Sequence, residues 1–353
     1  MSGFAVRLLQ WFEQHGRHDL PWQHPRSAYR VWVSEIMLQQ TRVETVTPYF
    51  TAFMDRFPNV TALADASLDE VLGLWSGLGY YARARNLHRA ARVVTERFGG
   101  ELPSERALLE DLPGIGRSTA AAIIAQAYER PEAILDGNVR RVLARHAAVE
   151  GWPGYPAVQR RLWSIAEARL PQARFADYTQ AIMDLGALVC TRSRPDCASC
   201  PVADDCAALA QGRVAALPTP RPVRPLPERV RWAAWVAAGD AVYLERRPAS
   251  GIWGGLYSLP EADDPLQLRT TIRVRWPSAH EEARLPGRIG HAFSHYRLDL
   301  HVLFFRLPAA ACGIMEGEGS IWYKTPLPVR VGLPAPIARF LRDQGNPDHG
   351  ANR

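Results

Sequence analysis

The chain has 353 residues, 47% of them apolar, and 42 Lys plus Arg against 36 Asp plus Glu give a formal net charge of +6. That length suggests two domains, and a mild basic excess is compatible with a polyanionic partner without requiring one. No apolar run reaches the roughly 20 residues needed to span a membrane. Five cysteines, four of them clustered, argue against a secreted disulfide framework and for a reducing, cytoplasmic setting with a metal site.

In chain order, the first stretch, Phe4 to Phe12, is broken by Arg7 and Gln10 and reads as an amphipathic helix, not a signal peptide. Tyr29, Trp32, Val33, Ile36 and Met37 follow at i, i+3, i+4, i+7 and i+8, one face of a helix. Glu35 lies off that stripe, near Val31 and Leu38 on a helical wheel; pattern alone makes it an exposed glutamate. Helical periodicity continues through residues 68–75, 82–98, 107–112, 118–128, 139–147, 157–170 and 178–189. Strand patterns are scarce as far as about residue 210, so an all-α domain is expected.

Between two of those stretches lies Leu112-Pro113-Gly114-Ile115-Gly116. A proline and two glycines allow a tight turn whose backbone N–H groups, at the start of the next helix, make an anion site. Asp136 precedes a helix, where an aspartate most often serves as N-cap. Cys190, Cys197, Cys200 and Cys206 then follow in the spacing C-x6-C-x2-C-x5-C. Four thiolates so close together fit a zinc site or a [4Fe–4S] cluster. Arg192 and Arg194 lie between the first two and can face phosphate. Cys312 stands apart and is read as an ordinary buried thiol.

Residues 212–229 change character: Pro218, Pro220, Pro222, Pro225 and Pro227 are interleaved with arginines, which gives an extended, semi-rigid linker. Short strand-like runs follow at 231–237, 241–245, 298–306 and 320–323, the pattern of a small α+β domain. Every cation of the chain but Lys324 is arginine, a bias we read as genomic base composition. Its chemical consequence is that no ε-amine precedes Lys324 to form a Schiff base.

The hairpin and the cysteine spacing together resemble the endonuclease III superfamily of helix-hairpin-helix DNA glycosylases. Within it, Ser34-Glu35-Ile36-Met37-Leu38-Gln39-Gln40-Thr41, Gly77-Leu78-Gly79-Tyr80-Tyr81-Ala82-Arg83 and Leu20-Pro21-Trp22 look like motifs of the MutY family. The resemblance covers nearly the whole chain. It implies an all-α helix-hairpin-helix glycosylase domain over residues 1–211, with an iron–sulfur loop at 190–206 whose four cysteines hold one [4Fe–4S] cluster. It further implies a linker at 212–229, a smaller α+β Nudix-like domain at 230–345 and a tail at 346–353.

The implied activity is hydrolysis of adenine from A:8-oxoguanine or A:guanine mispairs in double-stranded DNA, by a monomer without membrane association. The implied acid is Glu35, protonating adenine, with Asp136 stabilising the sugar cation and Ser118 and Asn138 placing water or sugar. Gly114 and Gly116 hold the DNA backbone. Gln40 and Tyr80 wedge around the opposing base, and Leu20, Trp22 and Gln180 line the pocket for the flipped adenine. Superfamily members that also cut the backbone carry a lysine two residues after the hairpin's last glycine. Here that residue is Ser118, so strand cleavage is not expected.

Trp253-Gly254-Gly255-Leu256-Tyr257 resembles the start of a Nudix fold, but no R-E-x-x-E-E cluster follows to hold Mg²⁺. A reader rather than a hydrolase is implied, with Phe293, Ser294 and His295 as the 8-oxoguanine loop. An endonuclease III-type glycosylase/lyase for oxidised pyrimidines is the nearest alternative. A non-catalytic DNA binder and a nucleotide pyrophosphatase are the others.

Overall fold

The structure, a computed structural model, describes residues 3–222, 225–248, 251–293, 295–308, 319–324 and 331–345. Eleven helices come first: α1 (Gly3–His15), α2 (Ala28–Leu38), α3 (Val43–Arg56), α4 (Val60–Asp65), α5 (Leu68–Leu74), α6 (Ala82–Phe98), α7 (Arg106–Glu110), α8 (Arg117–Ala127), α9 (Gly137–His146), α10 (Pro156–Ala168) and α11 (Phe175–Asp184). A π-helical turn, Leu185–Val189, and the short α12 (Ala207–Ala210) follow. No helix among the described residues is long and apolar enough to cross a membrane.

The α2 stripe read from the sequence is buried in full, and Val31 and Ser34 on other faces are buried with it. An amphipathic surface helix would leave those faces wet; α2 instead packs against both α3 and α8. This central position desolvates whatever polar group α2 carries. The stretch expected as one helix over 178–189 is in fact α11 plus the π turn. Gly186 in that turn lies against Asn138, and a Cβ on it would come 2.7 Å from Asn138 Cβ.

Beyond these helices the chain forms β1 (Glu228–Ala238), β2 (Ala241–Arg246), β3 (Tyr257–Ser258), β4 (Glu261–Ala262), α13 (Pro265–Arg275), β5 (His280–Glu281), β6 (Gly287–Ala292), β7 (Arg297–Leu307), β8 (Ser320–Lys324) and α14 (Ala335–Gly345). They make one eight-stranded sheet with the path β3-β2-β1-β7-β5. Its centre is the parallel pairing of β1 with β7, from Glu228 opposite Arg297 to Ala238 opposite Leu307. Side chains alternate along β1: Ala233, Trp235 and Ala237 join a core with Phe304, Ile337 and Phe340, whereas Ala234, Val236 and Ala238 join one with Leu268, Ile272 and Trp276. Each face thus carries one helix, α14 or α13, as a sheet buried on both sides requires. The shortest strands, β3 to β5, escape sequence reading because two residues cannot show a period of two.

Contacts divide the chain into two units, residues 1–66 with 86–223 and residues 67–85 with 224–353. Helix α5 and the start of α6 thus belong with the sheet, although they precede it by about 150 residues. Leu72 lies against the C-terminal sequence there, since a Cβ on Gly332 would come 3.2 Å from Leu72 Cβ.

Candidate active site

Within the helical unit the hairpin ends at Gly116, which is the N-cap residue of α8 and offers no side chain to its first turn. Gly114 adopts φ +83°, and a Cβ there would meet Asn86 Cβ at 2.7 Å, so glycine is required on both grounds. Beside this turn opens a cleft of about 570 Å³ lined by Gln39, Ser118, Leu135 and three arginines, Arg117, Arg140 and Arg160. Uncapped helical N–H groups, the positive end of a helix and three guanidinium groups suit a phosphodiester backbone.

Ser118 reaches across from α8 and its Oγ accepts a hydrogen bond from Leu135 N at 3.0 Å. That bond fixes the residue before Asp136. Asp136 caps α9: its Oδ1 accepts from Val139 N at 2.7 Å. The cap reading of Asp136 therefore holds, and it does not exclude a second role. Burial raises the Asp136 carboxyl above its ordinary value, while the Val139 and Asn138 N–H groups and the Arg141 and Arg140 guanidiniums pull it back down. Each of those four favours the anion.

Glu35 has the opposite surroundings. Burial first, and the nearby Asp136 charge second, push its carboxyl up to about 8 against one opposing Gln126 amide. That amide stands 3.4 Å from Glu35 Oε1, a long bond. The helix that carries Glu35 is buried on several faces, and its own face holds Val31, which is 1% exposed. The exposed glutamate that the pattern suggested is thus a partly buried acid, facing a second carboxyl. Burial thus raises both carboxyls, but one amide alone opposes it at Glu35, whereas two backbone N–H groups and two guanidinium charges oppose it at Asp136.

Asn138 is the second residue after Asp136. Its Oδ1 accepts from Arg141 Nη2 at 2.9 Å, and Arg141 also donates to the carbonyls of Gly186 and Cys190 at 2.5 and 2.7 Å. Gln180 is buried, with its amide donating to Asp184 Oδ1 at 2.8 Å. Asp184, wholly buried, also accepts from Arg17 N at 2.7 Å and from the Arg17 guanidinium at 2.6 Å. Leu20 and Trp22 lie in the loop that Arg17 opens; both are buried, and the Trp22 ring meets Phe50 edge-on at 5.5 Å. Gln40 is exposed and adopts φ +59°.

Sequence reasoning missed Gln126, Arg141 and Asp184. The first had a signal: after Arg117-Ser118-Thr119 it is the one polar side chain in Ala120-Ala121-Ala122-Ile123-Ile124-Ala125-Gln126-Ala127. The other two had none, because an arginine or aspartate whose partners lie far along the chain looks like any surface charge.

In the sheet unit, Phe293 and His295 belong to the tip of the β6–β7 hairpin, closed by Phe293 N donating to Tyr296 O at 2.9 Å. The Phe293 ring lies 5.3 Å from Trp253 and 4.4 Å from His291. Ser294 and Cys312 lie outside the described residues. Tyr80, in the same unit, is 58% exposed at φ +50°.

The expected [4Fe–4S] cluster is overturned. Among the described residues, no group of three or more His, Cys, Asp or Glu side chains is arranged to hold a metal ion. Cys190, Cys197, Cys200 and Cys206 are free thiols around a cavity of about 20 Å³, room for a single water. Burial, with the neighbouring cysteines adding to it, raises the Cys197 thiol and pushes Cys200 up to about 11. What secures this loop is buried Arg145, which donates to Leu217 O at 2.8 Å, Thr191 O at 2.7 Å, Arg192 O at 3.1 Å and Cys190 Sγ at 3.3 Å. Arg192 and Arg194 are exposed on it.

Residues 33–168 match the family model of the HhH-GPD superfamily of base excision DNA repair proteins, and residues 231–343 match a NUDIX domain. An adenine DNA glycosylase of Buchnera aphidicola (subspecies Acyrthosiphon pisum) is 34% identical over 96% of this chain and 97% of its own. The human adenine DNA glycosylase is 36% identical over 91% of this chain and 70% of its own. Among solved structures, a thermostable thymine-DNA glycosylase is similar with a TM-score of 0.54 and 28% identity, covering 59% of this chain and 95% of that one.

Proposed function

The chain belongs to the adenine DNA glycosylase family, and from that premise we infer that it excises adenine mispaired with 8-oxoguanine or guanine in double-stranded DNA. It is a base excision repair enzyme that hydrolyses the N-glycosidic bond of adenine. One observation carries the mechanism: Glu35, its carboxyl raised to about 8, shares its surroundings with Asp136, whose anion two backbone N–H groups and two guanidinium charges favour.

Breaking an N-glycosidic bond leaves positive charge on the sugar and negative charge on the departing base. Glu35 gives its proton to adenine N7, so the base leaves neutral. Asp136, acting as the anion that two backbone N–H groups and two guanidinium charges favour, stabilises the sugar cation. Ser118, which accepts from Leu135 N, and Asn138, which accepts from Arg141, position the sugar or the attacking water. Leu20, Trp22 and Gln180 receive the flipped adenine, and Gln40 and Tyr80 fill the space it leaves. Gly114 and Gly116 grip the backbone. The proposed boundaries are a glycosylase domain at 1–211, a linker at 212–229, an 8-oxoguanine-reading domain at 230–345 and a tail at 346–353. Phe293, Ser294 and His295 form its reading loop, with the serine hydroxyl accepting from the N7–H that distinguishes 8-oxoguanine from guanine. The enzyme acts as a monomer on bacterial chromosomal DNA in the cytoplasm.

With Ser118 where an imine-forming lysine would stand, the product is an abasic site in an uncut strand. Incubation with duplexes holding A opposite 8-oxoguanine, G, C or T, with and without alkali, tests this. Loss of adenine chiefly from the first two, with nicks mainly after alkali, is expected. Equal action on thymine glycol, or nicking without alkali at the rate of base loss, would sink it.

A further inference from the structure

Tyr80 is a bulky residue in the left-handed region, a conformation that persists only where the surroundings over-determine it. Trp75 Nε1 donates to Gly79 O at 3.1 Å, and Arg83 Nη2 donates to the carbonyls of Leu78 and Gly79 at 3.2 Å each. The Arg83 guanidinium also lies 5.4 Å from the Trp75 ring and 5.5 Å from the Tyr80 ring. The segment 67–85, which carries the Tyr80 turn, is tied to the C-terminal sequence of its own unit at three points. Asp69 pairs with Arg246, Tyr81 Oη donates to Leu333 O at 2.8 Å, and Arg85 Nη1 donates to Gly254 O at 2.5 Å. Gly254 is next in the chain to Trp253, whose ring meets Phe293 at 5.3 Å and His291 at 5.6 Å. A continuous path of contacts therefore runs from the Tyr80 turn through Arg85, Gly254 and Trp253 to the β6–β7 tip.

We propose that Tyr81 and Arg85 are positioning residues that hold the Tyr80 turn together with Phe293 and His295 at the β6–β7 tip as one rigid reader of the base opposite the excised adenine. The proposal rests on the reading above that both elements approach that base. 8-Oxoguanine and guanine differ there by one N–H and one carbonyl, and hydrogen bonds to such groups weaken steeply with misplacement. Two probes fixed to a common frame hold that geometry; two probes that drift independently do not. Loss of a tether therefore erodes the choice between the two opposing bases more than it slows bond cleavage, which Glu35 and Asp136 perform.

The test uses the full-length protein and compares kcat/KM for adenine opposite 8-oxoguanine and opposite guanine, alongside hydrogen exchange of residues 287–297. Tyr81→Phe removes only the hydroxyl, and Arg85→Ala removes the guanidinium. Each is expected to lower the 8-oxoguanine-to-guanine ratio by about tenfold, the scale of one structural hydrogen bond, and to speed exchange at 287–297. Arg85→Lys, which keeps a donor, restores most of the ratio. Tyr80→Ala separates the two layers of inference. An unchanged ratio in Tyr80→Ala overturns the wedge reading itself. A ratio that falls in Tyr80→Ala but holds in Tyr81→Phe and Arg85→Ala, with exchange at 287–297 unmoved, overturns the tether and leaves the wedge standing.

Discussion

At the scale of single residues, the acid and the anion make separable predictions. In the proposed mechanism Glu35 acts protonated, and its carboxyl is raised to about 8. Single-turnover excision should be flat through neutral pH and fall tenfold per unit on the alkaline side of about 8. Gln126 donates to the Glu35 anion, so Gln126→Leu should carry that alkaline limb to higher pH; a limb that stays put would remove Gln126 from the site. Stability follows with its own sign. Glu35 titrates higher folded than unfolded, so above about pH 4.5 folding must take up a proton, and stability falls as pH rises toward 8. Glu35→Gln should abolish excision yet stabilise the fold at pH 7 by about 1–3 kcal/mol after solvent screening, read by urea unfolding. Asp136→Asn keeps a good N-cap and loses the charge. Its melting temperature should stay within a few degrees while excision falls about a hundredfold or more; full activity in Asp136→Asn would leave Asp136 a cap alone. Asp136 and its cap were legible in the sequence because capping is local. The burial of Glu35 was not, because a helical wheel shows which face is apolar but not how many faces are covered. The thiol spacing was legible, but spacing fixes neither ionisation nor arrangement, and the metal reading drawn from it did not hold.

Many of the longer helices could be read from their period, and the boundaries of α6 match the sequence reading, residues 82–98, whereas α3, α13 and α14 went unread. The break between α11 and the π turn could not be read. It depends on Gly186 meeting Asn138, a contact between residues 48 positions apart. That contact sets the placement of the whole N-terminal turn of α9, Asp136 included, since Arg141 ties Asn138 to the Gly186 and Cys190 carbonyls. Gly186→Ala would drive a methyl to 2.7 Å from Asn138 Cβ and 3.0 Å from its backbone. An overpacked contact of this kind costs about 1–3 kcal/mol. Because the atoms displaced belong to the element that aims Asp136, kcat should fall more than KM rises. A variant destabilised to this degree but with full kcat would show that α9 absorbs the shift without moving its carboxylate.

For the whole molecule, the proline-rich stretch announces a boundary in the sequence, but nothing there announces that residues 67–85 belong with the sheet. Leu68-Asp69-Glu70-Val71-Leu72-Gly73-Leu74 is amphipathic, and burial of apolar surface is non-directional, so the pattern names a face and not the partner that covers it. The consequence is a prediction about cutting the chain. A fragment of residues 1–223 keeps every element of the helical unit, yet strips 67–85 of Arg246, the Gly254 and Leu333 carbonyls and the packing of Gly332 against Leu72. Cores that lose part of their packing open locally before they unfold globally. Hydrogen exchange in the fragment should therefore be fast across 67–85 and remain slow in α8, α9 and α11. Adenine excision should survive, because Glu35, Gln126 and Asp136 are retained, while DNA affinity and the preference for 8-oxoguanine decline together. Equal protection of 67–85 in the fragment and the full chain would mean that this segment is held by the helical unit after all, and the division of the molecule would have to be redrawn.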